Sequence, residues 1–195
     1  MSSTVAHLEG PLANRDRWNA PSRCSIGRAM EVVGNRSTML LMREAYYGTT
    51  RFDDFARRVG ITEASAAARL KDLLGAGLLR LEPYREPGQR TRQQYVLTEM
   101  GRDLMPALLA LMQWGDTYLA DEEGPPLALE HSECGAPVAV SVRCAEGHEV
   151  PLEELTVRRA RTERPHVSLP CISADLDTLA ACPNQSRPTF RTPLP

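Results

Sequence analysis

Apolar positions recur at intervals of three and four through most of the first 120 residues, the period of helices that each bury one face. Ser22 is a candidate N-cap for a first helix from Cys24 to Val33, in which Ile26, Ala29, Met30 and Val33 share a side; Gly34 stops it. Ser37 to Tyr47 is a second helix, with Thr38, Leu41, Met42 and Ala45 inward and Gly48 at its end. Arg51 to Val59 is a third, with Phe52, Phe55, Ala56 and Val59 inward and Gly60 closing it. Thr62 then caps a fourth helix running to about Gly75, with Glu63 complementing its dipole and Ala66, Leu70, Leu73 and Leu74 inward.

The period then changes. Leu78 to Leu81 and Gln93 to Leu97 read as strands, and the Pro- and Gly-bearing stretch 83–90 between them reads as a hairpin loop. Thr98 caps a long final helix to about Leu119, with Pro106 placed to kink it. Helices, a strand, a wing, a strand and a helix make a mainly α fold with a small β-hairpin (α+β), in the order of a winged helix-turn-helix domain over residues 22–121. Residues 1–21 hold Pro11 and Pro21 without sustained period and read as a flexible leader. Gly124-Pro125-Pro126 is a linker, and the alternation from Val138 to Val142 marks a small β unit over 127–152. Residues 160–195, with six prolines and little hydrophobic pattern, are expected to be disordered.

Composition adds bounds. With 42% hydrophobic and 25% charged residues in 195, the chain has the balance of a soluble globular protein. No apolar run approaches the ~18 residues of a membrane span, and the start lacks a signal-peptide core. Five scattered cysteines do not make a secreted disulfide framework, so a cytoplasmic protein with reduced thiols and no membrane partner is expected. The net charge of −2 hides an asymmetry: residues 23–120 carry a net of +3 and residues 121–195 a net of −5. Of the 23 basic residues only Lys71 is a lysine; the rest carry the planar fork that suits phosphate and guanine.

Several motifs then fall into one order: Cys24 opening the first helix, Val33-Gly34, Phe52-Asp53-Asp54-Phe55, Gly60-Ile61-Thr62 and Arg69-Leu70-Lys71-Asp72-Leu73. Gly77-Leu78-Leu79, Tyr95-Val96-Leu97-Thr98, Gly101 and the stretch from Leu104 to Trp114 with Pro106 follow. Together they resemble the HxlR-type winged helix-turn-helix transcription regulators over about 22–120. The family ordinarily has a tryptophan after Gly34, where this chain reads Asn35-Arg36-Ser37-Thr38. The resemblance implies a DNA-binding, dimeric transcriptional regulator, expected to act as a repressor on double-stranded DNA. It also implies a sensing role for Cys24, because some relatives use a cysteine there as a redox sensor.

The residues themselves suggest where such chemistry would sit. A recognition helix entering from its N-terminal half brings Thr62, Glu63, Ser65 and Arg69 to DNA, its short side chains permitting close approach. The wing offers Arg85, Gln89, Arg90 and Arg92 for phosphate or minor-groove contact, and Arg36, Arg57 and Arg58 are backbone-contact candidates. The bland readings are an amphipathic helix with a solvated face and an ordinary hairpin. From another class, the core is a protein-interaction module without specific DNA binding, a reading that draws on Ala67 and Ala68 at recognition positions.

Along the last helix Leu97, Leu104, Leu108, Leu111 and Tyr118 recur at spacings of seven, four, three and seven, widened by Leu109 and Met112. That seam, with Met30 of the first helix, is the expected homodimer interface and would set an inverted-repeat operator. Cys24 is either an inert small hydrophobe or a helix-N-terminal thiol activated between Arg23 and Arg28. His131-x-x-Cys134 and Cys144-x-x-x-His148 are either a candidate structural zinc site or an ordinary hairpin without metal. No cofactor is otherwise called for, and no effector can be named from these residues. Phosphate-binding glycine loops and nucleophile elbows are absent and all four histidines lie outside the core, so an enzyme is not expected.

Overall fold

Leu41, Met42, Phe55, Leu70 and Leu73 lose almost all contact with solvent and form the centre of the computed structural model, which describes residues 6–14 and 24–159. In chain order the elements are β1 (His7–Leu8), α1 (Ser25–Val33), α2 (Arg36–Tyr46), α3 (Phe52–Val59), α4 (Glu63–Gly75), β2 (Leu79–Tyr84), β3 (Arg92–Leu97), α5 (Glu99–Asp103), α6 (Met105–Tyr118) and β4 (Thr156–Val157). The inward faces of α2, α3 and α4 are those their spacing predicts: Thr38, Leu41, Met42 and Ala45; Phe55 and Ala56; Ala66, Leu70 and Leu73. Burying several such side chains, at about 1.5–3 kcal/mol each, is what holds three short helices together.

Local signals set the ends. Gly60 ends α3 in the left-handed region, at φ 70, where a Cβ would be strained. Two residues later the Thr62 hydroxyl accepts a hydrogen bond from Ser65 N at 3.2 Å and starts α4. The α3–turn–α4 unit is the helix-turn-helix. Asn35 caps α2 in the same way, accepting from Ser37 N at 2.9 Å.

β2 and β3 form an antiparallel ribbon, in register from Leu79↔Leu97 to Tyr84↔Arg92. It is longer than the sequence predicts, because Pro83 is taken into β2. A two-stranded ribbon leaves open edges, so a residue without an N–H can be accommodated. Tyr95 ties the ribbon to the helices: its N–H donates to Thr50 O at 2.9 Å and its ring meets the Phe55 ring edge-on, 5.8 Å between centroids.

Three expectations are corrected. The long final helix is two, α5 and α6, meeting at Leu104. Pro106 has no N–H to give and its ring crowds the carbonyl of Arg102 four residues back, so the helix breaks there. The stretch Val138 to Val142 is not a strand; among the described residues it has no partner strand, and only the isolated pairs Glu130↔Pro137 and Arg143↔Glu149 form around it. Nor are residues 6–14 a flexible leader. β1 pairs in parallel with β4, His7 N donating to Leu155 O at 2.8 Å and Glu9 N to Val157 O at 2.9 Å, and Leu12 is buried. The rest of that segment, Ser22 and Arg23 included, and the expected tail 160–195 with Cys171 and Cys182 lie outside the described residues. Among the described residues no helix is long and apolar enough to cross a membrane.

Candidate nucleic-acid interface

Because Ala66, Leu70 and Leu73 point into the core, α4 turns Thr62, Glu63, Ala64, Ser65, Ala67, Ala68, Lys71 and Asp72 outward. Ala64, Ala67, Ala68 and Lys71 lie at helical spacing on one exposed stripe. Ala64 and Lys71 are not among the residues singled out from the sequence; what brings them into the stripe is their place on the side of the helix away from Ala66 and Leu73. Thr62 donates to the Ser65 hydroxyl at 2.9 Å while capping the helix, so both hydroxyls are partly occupied by one another.

The arginines divide by partner. Arg69 is held by Asp72 at 2.9 Å, one turn along the same helix. Arg57 pairs with Asp54, and Arg58 donates to Thr49 Oγ1 at 2.8 Å, both within the body of the helix-turn-helix. Arg36 is exposed on the first turn of α2. Among the described residues Arg36, Lys71, Arg90 and Arg92 form no ion pair.

The wing tip has an internal scaffold. Arg51, just before α3, pairs with Glu86 and lies over the Tyr84 ring, 5.3 Å from its centroid. The hydrogen bond to Glu86 first, then Tyr84, pushes the guanidinium pKa of Arg51 up further. Gln89 donates to Glu86 at 3.0 Å, and Arg85 Nε donates to the Gln89 carbonyl at 3.0 Å. Arg85 and Gln89 thus shape the tip while staying exposed, as do Arg90 and Arg92 beside it.

α6 resolves the expected seam differently. Leu104 packs on the core and Leu108 is only 8% exposed within its own chain, so these two are not free interface residues. α6 contacts α2 and turns that side inward. The other side leaves Leu111, Trp114, Tyr118 and Leu119 at least half exposed, and Met112, half-buried, approaches the Tyr47 hydroxyl. The Trp114 and Tyr118 rings lie 5.6 Å apart. α1 likewise exposes Ile26 and Met30.

Cys24 is the N-cap of α1, its Sγ accepting from Gly27 N at 3.4 Å; the thiol is free and half-buried. His131 Nδ1 lies 3.1 Å from Cys134 Sγ, but among the described residues no three His, Cys, Asp or Glu side chains gather closely enough to hold a metal. Cys144 and His148 stay together on a separate turn.

Known proteins share this arrangement. Residues 32–123 match the HxlR-like helix-turn-helix family. The uncharacterized HTH-type transcriptional regulator Rv3095 of Mycobacterium tuberculosis is 42% identical over 142 residues, covering 71% of this chain and 84% of that protein. The crystal structure of PA1607, described as a candidate transcription factor, has a TM-score of 0.64 and 32% identity over 71% of this chain and 96% of its own. PA1374 of Pseudomonas aeruginosa, described likewise, has a TM-score of 0.51 and 36% identity over 72% of this chain and 95% of its own. Helix-turn-helix, wing and sequence thus agree, and the chain belongs to the HxlR-like helix-turn-helix family of transcriptional regulators.

Proposed function

We propose that this chain acts as a homodimeric, sequence-specific repressor that binds an inverted-repeat operator. The observation that carries the reading is the outward stripe of α4, built of small side chains and Lys71, together with a wing whose Arg90 and Arg92 form no ion pair among the described residues. Small residues let the helix backbone lie close to base edges, alanines can meet thymine methyls, and the cations answer the flanking phosphates. The half-exposed faces of α6 and α1 would join two copies across a two-fold axis, setting half-sites roughly 10 bp apart or a multiple of that. A dimer spanning two such turns blocks that stretch to other proteins, which is the simplest route to repression. Cys24, capping α1 next to the same apolar surface, supplies the thiol through which an oxidant would act.

A gel shift on the DNA upstream of the chain's own gene, titrated with salt and compared with random duplex, tests the reading. Preference for the upstream DNA with a steep fall of affinity in salt is expected. Equal, weak binding to both would favour the rival reading of a protein-interaction module.

Two substitutions sharpen it. Arg90→Ala should weaken binding to specific and random DNA alike and reduce the salt slope by about one, as for one lost phosphate contact. An unchanged slope would remove Arg90 from the interface. Lys71→Ala should cost ~1–3 kcal/mol on the operator if the ammonium reaches a base, with altered preference at one position. A loss equal on every sequence would make Lys71 a phosphate contact instead.

A further inference from the structure

Beyond α6 the chain has no α-helix or strand before β4 and fully buries no side chain. It forms two successive tight hairpins. In the first, Val138 N donates to Leu129 O, His131 N to Ala136 O and Gly135 N to His131 O, each at 2.8 Å. In the second, Val150 N donates to Val142 O at 2.9 Å, Cys144 N to His148 O at 3.0 Å and Gly147 N to Cys144 O at 2.9 Å. Yet no residue between 119 and 159 is buried, and Leu127, Val138, Val140, Val142, Leu152 and Val157 stay between 37% and 52% exposed. Ordering a residue costs about 1–2 kcal/mol, and a hydrogen bond exchanged with water returns about 0.5–1.5. A segment that buries so little gains order from a cross-link such as a metal or a disulfide.

The hairpin tips carry the donors. His131 and Cys134 bracket the first tip, Cys144 and His148 the second, one nitrogen and one sulfur at each. His131 Nδ1 and Cys134 Sγ are 3.1 Å apart. Two ligands of one tetrahedral Zn2+, with Zn–N about 2.0–2.1 Å and Zn–S about 2.3 Å, stand roughly 3.5 Å apart. The first pair therefore needs only a small opening to become half of a site. The second tip is not gathered against it. Between the hairpins, Ala139, Val140 and Ser141 make no backbone–backbone hydrogen bond, so bringing the tips together breaks no ladder.

We propose that His131, Cys134, Cys144 and His148 bind one Zn2+ in a closed tetrahedral N2S2 site that draws the two hairpins together. Two soft sulfurs and two imidazoles favour zinc over magnesium or calcium, and four protein ligands leave no position for catalysis. The balance is simple: Zn2+ plus two thiols and two neutral imidazoles gives the neutral bis-thiolate complex and two released protons, with no oxidant or reductant. Glu130, Glu133 and Glu146 flank the tips and favour the approach of a dication, while Glu149 is paired with Arg143. The unit is anchored to α6 by one side chain. The Gln113 amide donates to Val138 O at 2.8 Å and accepts from Val140 N at 2.9 Å, beside a cavity of about 220 Å3 lined by Met112, Leu127, Leu129 and Pro137. Zinc thus rigidifies an arm seated on the helix that carries Trp114 and Tyr118.

The full chain, purified without chelator, is to be analysed for metal by native mass spectrometry and elemental analysis. About one zinc per chain is expected, falling to near zero in Cys134→Ser and in Cys144→Ser. Cobalt(II) added to the metal-free chain should give the visible absorption of a tetrahedral thiolate site and release about two protons per metal. The cobalt titration uses the unsubstituted chain, so it decides the matter even if a serine variant folds poorly. Zinc retained in both serine variants, no cobalt absorption by the reduced chain, or a native mass lighter by two hydrogens from a Cys134–Cys144 disulfide would each overturn the site. These readouts do not involve DNA, so they stand or fall separately from the operator reading.

Discussion

Trp114→Glu is expected to turn the proposed dimer into a folded monomer and to lower affinity for the proposed inverted-repeat operator by about 100-fold or more. The indole is 53% exposed, meets the still more open Tyr118 ring at a tilt, and is not part of the core around Leu41 and Phe55. Its removal should leave the fold intact. In a two-fold interface one substitution acts twice, deleting two aromatic contacts worth about 1.5–3 kcal/mol each and placing two carboxylates against apolar surface. Two linked half-sites gain about 10²–10⁴ in avidity over one, and that factor disappears with the dimer. Sedimentation and gel shift on the same preparation give the two readouts. Leu108→Glu serves as the contrast: at 8% exposure within its own chain it should lower the unfolding midpoint rather than dissociate a folded dimer. A Trp114→Glu protein that remains dimeric would place the interface elsewhere.

Gly101→Ala should be among the most damaging single-methyl changes in the chain. A Cβ at Gly101 would stand 2.2 Å from the Leu78 carbonyl oxygen and 3.1 Å from Leu97 Cδ2. The carbonyl cannot retreat freely, because it accepts from Thr98 N at 3.1 Å and from Thr98 Oγ1 at 3.2 Å. Backbone must therefore move against backbone where α5 crosses the start of the wing. Forced packing of this kind costs about 1–3 kcal/mol, and the lost approach threatens a further contact, from the Tyr46 hydroxyl to Gly101 O. Chemical denaturation should show the midpoint falling at unchanged slope, and an unaltered midpoint would mean that α5 can slide away without cost. Tyr46 adds a pH signature. Burial, and secondarily Asp103, pushes its hydroxyl up to about 12 from 10.0, so the folded state holds the protonated form. Its contribution is whole below pH 10 and is lost as pH rises towards 12.

How much of this was legible beforehand depended on the range of the interactions involved. The buried faces of α2, α3 and α4, the cap at Thr62 and the turn at Gly60 follow from residues within about four positions of one another, and the wing from two short strands either side of a Pro- and Gly-bearing loop. Amphipathic period and capping chemistry are local, and a local rule can be read along a line of letters. Even the break ahead of Pro106 was foreshadowed, although its completeness, two helices rather than one bent one, was not.

Other features belonged to tertiary structure. α6 is apolar around most of its circumference, so spacing could not say that Leu108 would be buried and Leu111 and Trp114 left open. β1 and β4 are two residues each and almost the whole described chain apart; so short a strand has no period to detect, and its partner decides whether it exists. The arginines looked alike in sequence because the acids that occupy them lie elsewhere in space, as with Arg51 and Glu86, or on the adjoining turn, as with Arg69 and Asp72. Charge and hydrophobicity are properties of residues, whereas availability is a property of neighbours. Period and capping were therefore written into the sequence; which apolar face stays bare and which cations stay unpaired were decided only when the chain closed on itself.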